Sequence, residues 1–171
     1  IASKDVSVLK LSALKGVFTD VVSDKVSYVN APVLAEQRGI DVELVTGAES
    51  EYFRNEIVLT AALANGENVT VAGTVTGPKH VQKITNISGY DLETPITDHL
   101  LILEYKDRPG MIAGMSTLLG TSSINIAGMQ VSRLDEKSTA VAVFALDSAP
   151  NMEVVEAVKQ IVSARHAAIV D

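Results

Sequence analysis

The sequence predicts an α+β chain of two domains, the second of them a βαββαβ module. Three observations lead there. Two stretches in the second half carry apolar residues at the same helical offsets of 0, 1, 4, 7 and 8. Four short runs rich in Val, Ile, Leu and Ala flank them, each of strand length. A polar segment containing Pro95, Asp91 to Asp98 (DLETPITD), reads as the linker to a first half of mixed signals. The domains are accordingly assigned to residues 1–95 and 96–171.

In the second half, His99 to Lys106 (HLLILEYK) is an apolar run suited to a buried strand. A helix is predicted from Met111, with Met111, Ile112, Met115, Leu118 and Leu119 on one face, and Gly120 with Thr121-Ser122-Ser123 stops it. Ile124 to Leu134 reads as strand, Asp135-Glu136-Lys137-Ser138 as a polar turn, and Thr139 to Leu146 (TAVAVFAL) as a third strand. Ser148-Ala149-Pro150-Asn151 opens a second helix bearing Val154, Val155, Val158, Ile161 and Val162. Glu153 and Glu156 lie near its start and Lys159 and Arg165 near its end, the favourable order for the helix dipole. Ala167 to Val170 is a last short strand. Two helices with matching stripes cover one face of a four-stranded antiparallel sheet, the ferredoxin-like arrangement, and the other face is expected to stand open to a partner.

The first half is read as a separate α+β domain. Val6 to Leu11 (VSVLKL) alternates like a strand, and Ala13 to Val22 fits a short helix or a second strand. Ala31 to Gly39 (APVLAEQRG) is predicted helical, with Pro32 in the first turn and Gly39 as the stop. Val42 to Val45 is a candidate strand. Glu56 to Ala64, Asn68 to Val75 and His80 to Ile87 are predicted strands, separated by the turn signals Asn65-Gly66 and Thr76-Gly77-Pro78.

Composition narrows the function. The chain has 171 residues, 47% hydrophobic and 20% charged, which suits a globular protein. A net charge of −7 disfavours nonspecific nucleic-acid binding, and 4% aromatics without Trp leave no base-stacking platform. The absence of Cys excludes disulfides, thiolate metal sites and a cysteine nucleophile. His80, His99 and His166 form no ligand motif, so no metal site is expected. No apolar run approaches the roughly 20 residues of a membrane helix. With no signal peptide the expected setting is cytoplasmic, and a chain starting at Ile1 reads as a piece of something longer. Neither G-x-G-x-x-G, P-loop nor G-x-S-x-G is present, so no catalytic residues are assigned and a binding or regulatory module is expected.

The segment Asp107-Arg108-Pro109-Gly110 stands between the predicted strand and helix. Pro109 fixes its own φ and pushes Arg108 toward extended geometry, while Gly110 allows backbone conformations closed to other residues. The helix start leaves unpaired amides beside a positive dipole end, which suits a carboxylate. Asp107 can accept from an ammonium, and Asn125, opening the next strand, both donates and accepts. Two readings fit: an ordinary strand-to-helix turn, or a holder for the two charged ends of an α-amino acid.

At these residues the sequence resembles a known family. The strand, DRPGMI, the helix and INIAGMQVSR look like an ACT domain, a βαββαβ module that binds amino acids and regulates metabolic enzymes; the match covers about Leu100 to Asp171. YVNAPVLAEQRGIDVE (Tyr28–Glu43) and GTVTGPKHVQKITNISGYDLE (Gly73–Glu93) resemble the intervening, allosteric substrate-binding domain of long-form bacterial D-3-phosphoglycerate dehydrogenases. The resemblance implies the C-terminal regulatory part of such an enzyme of serine biosynthesis, without its dehydrogenase core. NAD would belong to the NAD-dependent oxidoreductase core, and no cofactor to this chain. It further implies a homo-oligomer binding L-serine between the ACT domains of two subunits as feedback inhibitor. Asp107 and Asn125 would hold the ammonium and nearby polar groups, the backbone of Arg108, Pro109, Gly110, Met111 and Ile112 would meet the carboxylate, and Tyr105 would line the pocket. Lys79, His80 and Lys83 form a basic cluster where some members bind an anion. Glu93-Thr94-Pro95 departs from the basic contact expected beside it, which favours a solvated lysine face. A sensor for another amino acid, and a ligand-free oligomerisation module, are the alternatives.

Overall fold

The computed structural model describes residues 5–19, 21–47, 50, 52–134 and 138–170. The chain divides into two compact units, Ile1–Asn55 and Glu56–Asp171.

The first unit holds two helices, α1 (Ser7–Phe18) and α2 (Ala31–Gln37). Leu14 and Phe18 pack with Ala31, Leu34 and Ala35. The strand expected at Val6 to Leu11 is therefore the start of α1. Leu11, Leu14 and Phe18 recur at helical spacing, and that longer period overrides the short alternation of VSVLKL. Asp5 Oδ1 accepts from the Ser7 amide at 2.9 Å, occupying one of the donors that a helix start leaves over. The predicted second helix is present and closes at Gly39, which takes φ +65°. Val42 to Val45 forms no strand; the Val42 carbonyl accepts from Lys10 Nζ at 2.7 Å.

The second unit contains two four-stranded antiparallel sheets. The first is a meander of β1 (Ile57–Ala62), β2 (Asn68–Thr76), β3 (Val81–Ile87) and β4 (Tyr90–Pro95). Every residue of β1 is exposed. The second sheet comprises β5 (Leu100–Lys106), β6 (Ile126–Leu134), β7 (Thr139–Leu146) and β8 (His166–Val170), in the order β6-β7-β5-β8. Helices α3 (Met111–Thr121) and α4 (Met152–Val162) complete the βαββαβ order. Of the polar turn expected at 135–138, only Ser138 lies among the described residues, and it is in a turn.

The two helices cover one face of the second sheet. Met115, Leu119, Val155, Val158 and Val162 pack on Leu101, Leu103, Tyr105, Ala140, Ala142 and Phe144. Burying each large aliphatic side chain contributes about 1.5–3 kcal/mol, so this is the main store of stability in the unit. Asn151 caps α4, its side-chain oxygen accepting from the Val154 amide at 2.9 Å.

Two expectations are corrected here. The segment read as a linker, Asp91 to Asp98, is for its first part the strand β4. Tyr90, Leu92 and Thr94 are buried while Asp91, Glu93 and Pro95 are exposed, a period of two that its charges and Pro95 disguise. The opposite face of the second sheet is also not open. Ile84, Tyr90 and Leu92 of the meander cover Leu100, Val141 and Val143. That double cover explains why β5 and β7 read as nearly unbroken apolar runs instead of alternating ones. Tyr90 fastens the contact, its hydroxyl donating to Glu104 Oε1 at 3.1 Å and lying 2.6 Å from Thr139 Oγ1. The boundary drawn after residue 95 falls between the two sheets, which this packing joins into one compact unit.

Candidate functional site

The site is built at the end of β5. Asp107 continues the strand, its amide donating to the Ser138 carbonyl at 3.0 Å. The chain then turns through Arg108 and Pro109 to Gly110, which takes φ +90° at the N-cap of α3. A side chain is strained at that angle, so glycine suits the position. Without a side chain Gly110 cannot cap the first-turn amides itself, and the Met111 amide is taken up by the Arg108 carbonyl at 3.3 Å. Arg108 leans along α3, its Nη2 lying 3.8 Å from Met111 Sδ.

The Asp107 carboxylate is engaged by a residue that the sequence did not single out: Arg133 Nε lies 2.9 Å from Asp107 Oδ2. Arg133 comes from β6, reached across β7 through the register Tyr105↔Ala140↔Arg133. A clue was present, since Arg133 is the single charged residue of IAGMQVSRL. A cavity of about 200 Å³ opens at this pair, lined by Asp107, Arg133, Leu134, Ser138 and Thr139.

Tyr105 does not line that cavity. It is 1% exposed within the core under the helices, and its hydroxyl has no hydrogen-bond partner. Burial raises its phenol above the ordinary value, the Asp107 carboxylate adds to the rise, and the Arg133 guanidinium opposes it.

Asn125 stands at the other end of the sheet. The β5 end at Lys106 pairs with Thr139, the start of β7, while the β6 start at Ile126 pairs with Leu146, the end of β7. Asp107 lies level with Ser138 and Asn125 with Asp147, so nine strand steps at ~3.3 Å each put Asn125 on the order of 30 Å from Asp107 within one chain. Asn125 Nδ2 donates to Asp147 Oδ2 at 2.7 Å.

The basic cluster is dispersed. Lys79 and His80 are exposed in the turn between β2 and β3, where His80 takes φ +50°. Lys83 Nζ is paired with Glu93 Oε2 at 2.9 Å. A larger crevice of about 550 Å³ runs beside it between β4 and the β6–β7 strands. Gln130 Oε1 bridges that crevice, accepting from the Glu93 amide at 2.9 Å and from Thr94 Oγ1 at 2.8 Å. Among the described residues no group of three or more His, Asp or Glu side chains could hold a metal ion. No helix there is long and apolar enough to cross a membrane.

Comparison with known proteins decides the family. Residues 1–88 match the D-3-phosphoglycerate dehydrogenase intervening domain. The chain belongs to this family. Along its whole length it is 37% identical to the D-3-phosphoglycerate dehydrogenase of Mycobacterium leprae and 39% identical to that of Mycobacterium tuberculosis. The corresponding protein of Bacillus subtilis is 29% identical over 148 residues, 86% of this chain and 28% of the relative. The chain spans about a third of the two mycobacterial proteins, 32% of each. The family match lies over both helices of the first unit and the meander up to the end of β3, and the βαββαβ module follows it.

Proposed function

We propose that this chain is the C-terminal regulatory part of a D-3-phosphoglycerate dehydrogenase, and that its βαββαβ module is an ACT domain that binds L-serine between two copies of the chain. Serine, as end product, lowers turnover in an attached NAD-dependent core that oxidises 3-phosphoglycerate in the cytoplasm. The chain itself contributes no catalytic group. It binds an effector and converts that binding into a change of subunit arrangement.

The observation that carries this reading is the separation of Asp107 from Asn125. Within one chain they cannot touch one ligand. β6 is an edge strand of its sheet. Two copies pairing antiparallel along β6 would bring the Asn125 end of one copy to the Leu134 end of the other, level with Asp107. Such a site exists only in the paired state, so a ligand filling it has the differential affinity between states that regulation requires. Coupling of about 1–3 kcal/mol is ordinary for such a device.

Calorimetry of the chain with L-serine tests it. Saturable heat at millimolar serine is expected; its absence removes the reading for this chain. A thermal-shift panel of glycine, alanine, serine and branched amino acids separates serine from other effectors, because a true ligand raises the midpoint with concentration. A ligand-free oligomerisation module would give a midpoint indifferent to all of them.

A further inference from the structure

Asp107, the group offered to the effector ammonium, is already occupied. Arg133 Nε holds its carboxylate at 2.9 Å, and the cavity of about 200 Å³ opens at that pair. We infer that Arg133 is the carboxylate-binding residue of the effector site, and that a small zwitterionic α-amino acid enters by inserting itself into the Arg133–Asp107 ion pair. The inference rests on the proposed effector role of Asp107 and adds the residue that selects for the free α-carboxylate.

The chemistry of the pair fits a zwitterion. An α-amino acid carries an ammonium and a carboxylate a few ångströms apart. Inserted between Asp107 and Arg133, it replaces one ion pair by two, ammonium on Asp107 and carboxylate on the guanidinium. The charge balance of the site is unchanged by binding, which favours zwitterions over simple cations or anions. Guanidinium also suits the task by geometry, since its planar fork matches both oxygens of a carboxylate.

The two partners differ in how firmly they are held. Asp107 is 25% exposed, and its main chain is anchored by the amide bonded to the Ser138 carbonyl. The Arg133 side chain is 64% exposed at the end of an edge strand, so it is the mobile partner. A pair this exposed contributes little to stability, and parting it costs little. Ser138 lines the same cavity and carries a hydroxyl, while the Thr139 hydroxyl beside it is engaged by Tyr90. The volume suits a small side chain. Arg108, the other guanidinium nearby, leans toward Met111 and is not among the lining residues.

The decisive experiment titrates the 171-residue chain and its Arg133→Gln variant with L-serine and with L-serinamide, which keeps the ammonium and the hydroxyl but lacks the carboxylate. The intact chain should prefer serine by about tenfold or more, and Arg133→Gln should lose that preference by weakening serine alone. Arg133→Lys, which keeps the charge without the fork, should fall between the two. Unchanged thermal midpoints show that the variants fold. If Arg133→Gln retains the preference for serine, the carboxylate is held elsewhere and the inference fails while the effector site stands. If the intact chain binds neither compound, the effector reading itself fails and takes the inference with it.

Discussion

A Cβ built on Gly114 would lie 2.8 Å from Ile161 Cγ2, closer than real side chains approach. Gly114 is on α3 and Ile161 on α4, so this contact sets how near the two helices can come. The touching atom is the branch methyl of an isoleucine in a helix, where χ1 is nearly fixed, so it cannot swing aside.

Gly114→Ala should therefore destabilise the chain. Overpacking costs about 1–3 kcal/mol, and the gain in helix propensity, about 1 kcal/mol, opposes it. Urea unfolding followed by circular dichroism measures the balance. In an Ile161→Ala background the same substitution should become neutral or stabilising, because the propensity gain is then unopposed.

Tyr105 and Tyr90 make opposite predictions for the same substitution. The Tyr105 hydroxyl is buried without a partner, so Tyr105→Phe should stabilise the fold by about 1 kcal/mol. Tyr90 bonds Glu104 and Thr139, so Tyr90→Phe should destabilise it by about 1–2 kcal/mol. Denaturant midpoints of the two variants separate these outcomes directly.

A pH dependence follows from the same phenols. Burial raises both above their ordinary value of 10.0. The folded state then holds protons that the unfolded state has released, so stability is complete below about pH 10 and falls as pH rises beyond it. Tyr105→Phe should make that alkaline decline shallower. A decline equally steep in wild type and variant would contradict the assignment to Tyr105.

The proposed two-copy site predicts complementation. Asp107→Ala and Asn125→Ala should each weaken serine binding by about 1–3 kcal/mol as separate preparations. Mixed and allowed to exchange, they should form hybrids with one intact site, Asp107 from one chain and Asn125 from the other. Calorimetry of the mixture should recover tight binding at about a quarter of the paired sites, since half the pairs are hybrids with one good site each. No recovery would contradict a site shared between two copies.

Much of this architecture was legible because its periods are long and clean. The stripes of α3 and α4 repeat over three turns, and the runs in β5 and β7 have no other stable use than buried strands. VSVLKL misled because six residues are too few to separate a period of 2 from one of 3.6, and Leu14 and Phe18 lie beyond them. DLETPITD misled because its composition suits a linker while its alternation makes a strand, and only the partner face on Leu100, Val141 and Val143 decides between them. Arg133 was overlooked for a similar reason. It is 26 residues from Asp107 along the chain, and only the register through β7 makes them neighbours.

β7 has no free face. Ala140, Ala142 and Phe144 belong to the core beneath the helices, while Val141 and Val143 belong to the core beneath the meander. One strand is thus the rivet through both layers, and neither can slide without shearing the other. Within residues 56–171, a displacement of the helical layer therefore has to disturb the meander core as well.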